Sequence, residues 1–130
     1  MGAHVVNERD VPEMEGTFER PGLPAGDGAA KSTRYLGLVG EDPVRPENPP
    51  YAYLIRRPKG DVTKDHKHSA NRTEFVIEGE IEWREPGKEP VRYGAGTLTY
   101  VEAGTVYGYT VLEDAKILIV FESSPGMNYQ

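Results

Sequence analysis

From residue 51 onward, short runs of aromatic and branched apolar residues alternate with turn-forming ones. Residues 51–55 (Tyr-Ala-Tyr-Leu-Ile) read as a strand from that content. Lys59-Gly60 reads as a turn and residues 62–68 as a second strand. Residues 72–77 (Arg-Thr-Glu-Phe-Val-Ile) form another, broken at Glu78-Gly79 and resumed over 80–84. A hairpin loop is expected at 85–90, strands at 97–101 and 106–112, and a tight turn at Ala103-Gly104 between them. Residues 116–121 are almost wholly apolar and predict a buried strand. The first fifty residues differ: Val5-Val6 suggests a short strand and residues 33–39 another. Residues 13–30 and 43–50, rich in Gly, Pro and acidic side chains, read as an irregular arm and an extended linker. The pattern gives eight or nine short strands and no amphipathic helix, which points to an all-β sandwich or barrel.

The expected organisation is an N-terminal arm over 1–50 with one or two short strands, a barrel over 51–122 and a frayed tail over 123–130. At 130 residues the chain is sized for one core. Fifteen glycines and eleven prolines suit turns between strands better than long helices. A net charge of −6 disfavours nucleic acid, whose phosphates call for a basic stripe. With no cysteine, disulfides, thiolate metal sites and a cysteine nucleophile are excluded. Neither a secretory leader nor a run of the ~20 apolar residues that span a membrane is visible, so a cytoplasmic protein without a membrane partner is expected. The arm is too poor in large apolar residues to fold alone, and a homodimer in which it lies on a partner is expected.

His66 and His68 carry the chemistry. Residues two apart on a strand share a face, so two imidazoles a rung apart can hold one divalent ion. By the same alternation Asp65 and Lys67 face away. Arg72, Glu74 and Val76 share a face, as do Tyr107 and Tyr109. Leu54, Val76, Val111 and either Leu98 or Thr99 are the expected interior apolar set. Trp83 is expected on the outside and His4 as a polar terminal residue.

These spacings resemble the two motifs of the cupin superfamily. Gly60 is followed by five residues, His66-Lys67-His68, three residues, Arg72, six residues and Gly79; Gly96 by five residues, Glu102-Ala103-Gly104, two residues and Tyr107. Each spacing matches, but arginine stands at the family's metal-binding glutamate and tyrosine at its third histidine. The resemblance, over residues 51 to about 121, implies a cupin double-stranded β-helix, or jelly-roll, barrel with a site inside. It implies several chemistries. In one, His66, His68, Glu74 and Tyr107 ligate iron, zinc, manganese or nickel in an enzyme acting on a small organic molecule, foremost a non-haem oxygenase. In another, no metal binds: a histidine such as His68 is a general base and Tyr107 a general acid, as in isomerases, epimerases or cyclases. A third is a non-catalytic small-molecule binder or sensor. Arg72 would hold an anionic substrate group, with Tyr53, Tyr109 and Val76 lining the pocket.

Overall fold

The computed structural model describes residues 2–3, 5–11, 13–15, 32–36 and 50–123. They form a short 3-10 turn, Glu8–Asp10, and eight strands: β1 Met14–Glu15, β2 Ser32–Tyr35, β3 Tyr51–Arg57, β4 Val62–His66, β5 Arg72–Arg84, β6 Val91–Gly94, β7 Leu98–Val101 and β8 Tyr107–Phe121. All pairings are antiparallel. No helix among the described residues is long and apolar enough to cross a membrane.

β5 and β8 pair along nearly their whole length, from Arg72 opposite Phe121 to Arg84 opposite Gly108. Every other strand from β3 on borders one of these two. The N-terminal half of β5 takes β7 and its C-terminal half takes β6. The C-terminal half of β8 takes β3, and its N-terminal half takes β4. Two layers result, sharing two long strands that bend from one into the other: the β-barrel of the predicted class. β2 and β1 extend the β3 edge, so part of the arm joins the sheet. Glu8 is tethered to the Lys116 ammonium at 2.7 Å, and that hydrogen bond holds its carboxyl below the usual range.

The bend is where sequence and structure part. Glu78-Gly79 does not end a strand; the ladder slips between Val76 and Ile81 through successive bulges. Arg72, Glu74 and Val76 point inward before the slip, Ile81 and Trp83 after it, so the inward parity changes from even to odd. Trp83 is therefore 6% exposed and part of the core, not on the outside. β8 runs unbroken where two strands were expected, because Glu113 and Asp114 lie exposed on the bend without interrupting the ladder. β6 went unforeseen: it is short, none of its residues is buried, and it exists by pairing with β5.

Other expectations are corrected in the same terms. Val76 and Val111 are interior, but in β3 it is Tyr53 and Ile55 that are buried, while Leu54 lies half-covered on the opposite face. Leu98 is 64% exposed, and Thr99 takes the inner side. Val5 is 93% exposed and not in a strand. His4, residues 16–31, 37–49 and 124–130 lie outside the described residues, and with them most of the expected arm, linker and tail.

Gly79 makes the bend possible. Its φ is +94°, and a Cβ there would stand 2.4 Å from the Asp114 carbonyl oxygen and 2.6 Å from the Ala115 Cα. Both the left-handed conformation and the backbone contact exclude a side chain. Gly79→Ala should cost at least about 2 kcal/mol in urea unfolding. A loss within experimental error would mean the bend has slack.

Candidate functional site

The interior of the barrel is lined by aromatic and charged groups rather than by aliphatic ones alone. Trp83 lies flat against Tyr107, with ring centroids 4.4 Å apart and planes 4° from parallel. Tyr109 continues the stack on Trp83 at 6.1 Å. Two buried arginines each lie over a tyrosine ring: Arg57 over Tyr109 at 4.7 Å and Arg72 over Tyr107 at 4.3 Å. Each has an acidic partner. Arg57 Nε donates to Asp61 Oδ2 at 2.6 Å and Arg72 Nη2 to Glu74 Oε2 at 2.7 Å, all four side chains at most 4% exposed. Burial works against the Arg72 charge, but Glu74 above all, with Tyr107, Tyr53 and Tyr109, outweighs it and holds the guanidinium above its ordinary range.

His66, at the end of β4, and His68, just beyond it, are both buried. Thr63 and His66 straddle a register irregularity, which turns the His66 ring inward. His66 Nδ1 lies 2.7 Å from the Lys64 carbonyl oxygen. A carbonyl only accepts, so Nδ1 carries the hydrogen, and in the neutral ring Nε2 presents its lone pair inward. Tyr107 Oη lies 2.8 Å from that Nε2 and donates to it. His68 Nε2 is 3.1 Å from the same atom. The two imidazoles and the phenol thus meet at one point, and the Tyr107 side of that point is flanked by Trp83 and Arg72.

A cupin-domain family model matches residues 53–121, more than half of the chain. The chain is a cupin. Solved structures with this fold include RemF, a polyketide cyclase of Streptomyces resistomycificus, at TM-score 0.69 and 18% identity over 92% of this chain and 79% of that one. An RmlC-like cupin of Shewanella frigidimarina NCIMB 400 matches at TM-score 0.66 and 18% identity, over 95% and 92%. KdgF of Halomonas sp. matches at TM-score 0.57 and 21% identity, over 73% and 80%. At these identities the likeness speaks to the fold. No curated protein sequence matches this cupin.

Cupins often bind a metal ion, and the fit can be tested on the donors. Two nitrogens bound at ~2.0–2.1 Å and about 90° apart stand roughly 2.9 Å from one another, close to the separation of the two Nε2 atoms. The Nδ1–carbonyl hydrogen bond of His66 is the outer support that a metal-bound imidazole needs. The carboxylate does not join them. Glu74 is held by Arg72, and among the described residues no group of three or more His, Asp or Glu side chains is placed to hold an ion. Two neutral imidazoles and a neutral phenol offer no charge against a dication; Tyr107 would supply one if metal binding ionised it.

The remaining predicted positions fall as follows. Tyr53 and Tyr109 are in the core, with Tyr53 against Phe121 at 6.3 Å; Val76 is packed in the core cluster. Asp65 and Lys67 face out. Trp83 is the site residue that alternation missed. The signal available was Gly79, since a glycine inside a strand pattern marks a bulge and a bulge reverses the faces beyond it.

The Arg72–Glu74 pair should behave as a unit. Removing one partner, as in Arg72→Ala, should destabilise by about 3–5 kcal/mol, whereas Arg72→Met with Glu74→Leu should unfold within about 1 kcal/mol of wild type or above it. Chemical denaturation of the three proteins checks this.

Proposed function

We propose that this cupin is an enzyme that moves protons on a small organic carbonyl compound, in the manner of an isomerase or cyclase. The observation that carries the reading is the fixed His66 tautomer: its Nε2 accepts the Tyr107 hydroxyl at 2.8 Å and so sets the phenol's position. His68, 3.1 Å from the same nitrogen, is the base once substrate displaces that contact. It takes the proton from the carbon next to a carbonyl; the C–H electron pair moves onto the carbonyl oxygen, which takes the Tyr107 proton as the hydroxyl turns from His66 Nε2 to that oxygen. Return of a proton to another carbon, or attack of the enol carbon on a second carbonyl, completes an isomerisation or a ring closure. Enclosure away from bulk water strengthens each of these interactions. RemF, a polyketide cyclase, has a barrel of this fold.

A second reading, a metal-dependent enzyme and foremost a non-haem oxygenase, is favoured by the 3.1 Å spacing of the two Nε2 atoms. His66, His68 and ionised Tyr107 would hold the ion, which would supply Lewis acidity or a site for oxygen.

Proton movement can be read without knowing the product. Incubation with enolisable β-dicarbonyl compounds in deuterated water, followed by proton NMR, should show catalysed exchange at the central carbon. Tyr107→Phe and His68→Ala should each lower it ~10²–10⁴-fold with the fold intact. Protein purified without chelating columns should carry less than stoichiometric metal, and chelation should leave exchange unchanged. One equivalent of metal, lost from His66→Ala and His68→Ala, together with oxygen uptake, would transfer the assignment to the second reading.

A further inference from the structure

His68 stands outside the sheet. β4 ends at His66 and β5 begins at Arg72, so no ladder register fixes residues 67–71 between them. A functional side chain carried on a loop is placed less exactly than one on a strand unless other contacts hold it. Here the Gly104 amide donates to the His68 carbonyl oxygen at 2.9 Å. The His68 ring also meets Phe121 edge-on, with centroids 5.0 Å apart.

Asn71, partly exposed at the end of the same segment, bridges to both ends of β8. Its Oδ1 accepts from the Ala103 amide at 2.7 Å, in the turn that leads into β8 and Tyr107. Its Nδ2 donates to both oxygens of the Glu122 carboxylate, each at 3.1 Å, just past the other end of β8. The Glu122 amide in turn donates to the Asn71 carbonyl oxygen at 3.1 Å. Turned over, the side-chain amide would set oxygen against carboxylate and N–H against N–H, so one orientation alone serves both partners. Hydrogen bonds this close to solvent add modestly to stability. Placement is more demanding: a reacting group displaced by ~1 Å can lose roughly 10²-fold in rate.

We propose that Asn71, with Glu122, is a positioning residue for His68: it clamps the loop that carries the imidazole to both ends of the strand that carries Tyr107. The clamp holds His68 Nε2 where His66 Nε2 and the Tyr107 hydroxyl meet. The use made of His68 rests on the acid–base reading; its placement by Asn71 does not.

Three variants test the clamp. Asn71→Ala removes it. Asn71→Asp keeps an acceptor for the Ala103 amide but sets a second carboxylate against Glu122. Asn71→Asp with Glu122→Gln swaps donor and acceptor and so remakes the pair. In deuterium exchange of acetylacetone, Asn71→Ala and Asn71→Asp should each lower kcat about tenfold or more with KM within about threefold. The double variant should return to within about threefold of wild type. Amide hydrogen exchange by NMR supplies a readout that needs no activity. In Asn71→Ala the Gly104 amide, whose acceptor on His68 is untouched, should exchange at least about tenfold faster, and the NOE between the His68 and Phe121 rings should weaken. The Gly60 and Val111 amides, bonded to Val111 and Asp61 further along the β4–β8 ladder, should keep their rates. Unchanged Gly104 protection, equal acceleration of all three amides, or a double variant no better than Asn71→Asp would overturn the assignment. If Asn71→Ala does not fold by circular dichroism, Asn71→Asp is measured in its place with the same outcomes. The two readings fail separately. Wild-type protein without exchange that depends on Tyr107 and His68 would remove the acid–base mechanism and leave the amide rates and the NOE to decide on Asn71. Exchange that needs both residues but ignores Asn71→Ala would remove the clamp and leave the mechanism standing.

Discussion

The pairing of β5 with β8 is the constraint on which the rest of this barrel depends. It runs from Arg72 opposite Phe121 to Arg84 opposite Gly108, and each strand passes from one layer to the other as it goes. The slip near Gly79 sets which residues of β5 face inward on either side of it. Before the slip the ladder delivers Arg72 and Glu74 to the interior; after it, Trp83. From the facing strand come Tyr107 and Tyr109. A site made of an arginine, a carboxylate, an indole and two phenols is thus assembled by one antiparallel ladder, with the histidines added from β4 and the residues just past it.

Two arginines inside so small a barrel are a large desolvation burden, and both are handled alike. Arg57 and Arg72 each have a carboxylate within 2.7 Å and a tyrosine face within 5 Å. Arg57 also donates to the hydroxyl of Thr63, a residue of β4 with no exposure at all. Buried pairs of this kind add little net stability against an apolar alternative, but they are unforgiving of the loss of one member. What they supply is direction: a fixed charge against a specific ring. Beside Tyr107 that direction bears on the chemistry; beside Tyr109 it holds the next rung of the same wall.

Much of this was legible in the chain because motif spacing outlasts motif identity. Gly60, His66, His68, Gly79, Gly96 and Gly104 stand at the distances the barrel imposes, although Arg72 and Tyr107 occupy positions where other side chains are expected. The convergence of His66, His68 and Tyr107 followed from that spacing together with strand alternation. Alternation failed where the ladder is irregular. Trp83 was placed on the wrong face because the bulge is a backbone event signalled by a single glycine. Leu54 was misplaced because both faces of β3 carry apolar residues, so hydrophobicity does not choose between them. Strand alternation placed Arg72 and Glu74 on one face, which allows their ion pair. Its consequence, that it withdraws the carboxylate from the imidazoles, depends on a contact geometry that spacing does not encode.

The sharing of β8 by both layers bears on how the chain reaches its native state. β3, β4 and β5 all find their partner in residues 107–121, and none of the three pairs with another of them. During synthesis on the ribosome, therefore, β3 can pair with β2 and β5 with β6 and β7, but β4 has no ladder to join and the two layers are not tied together until the final strand has emerged. Closing those long loops late is slow by its topology. Until it happens, the nascent barrel presents unsatisfied edges to its surroundings, and molecular chaperones would meet it in that form.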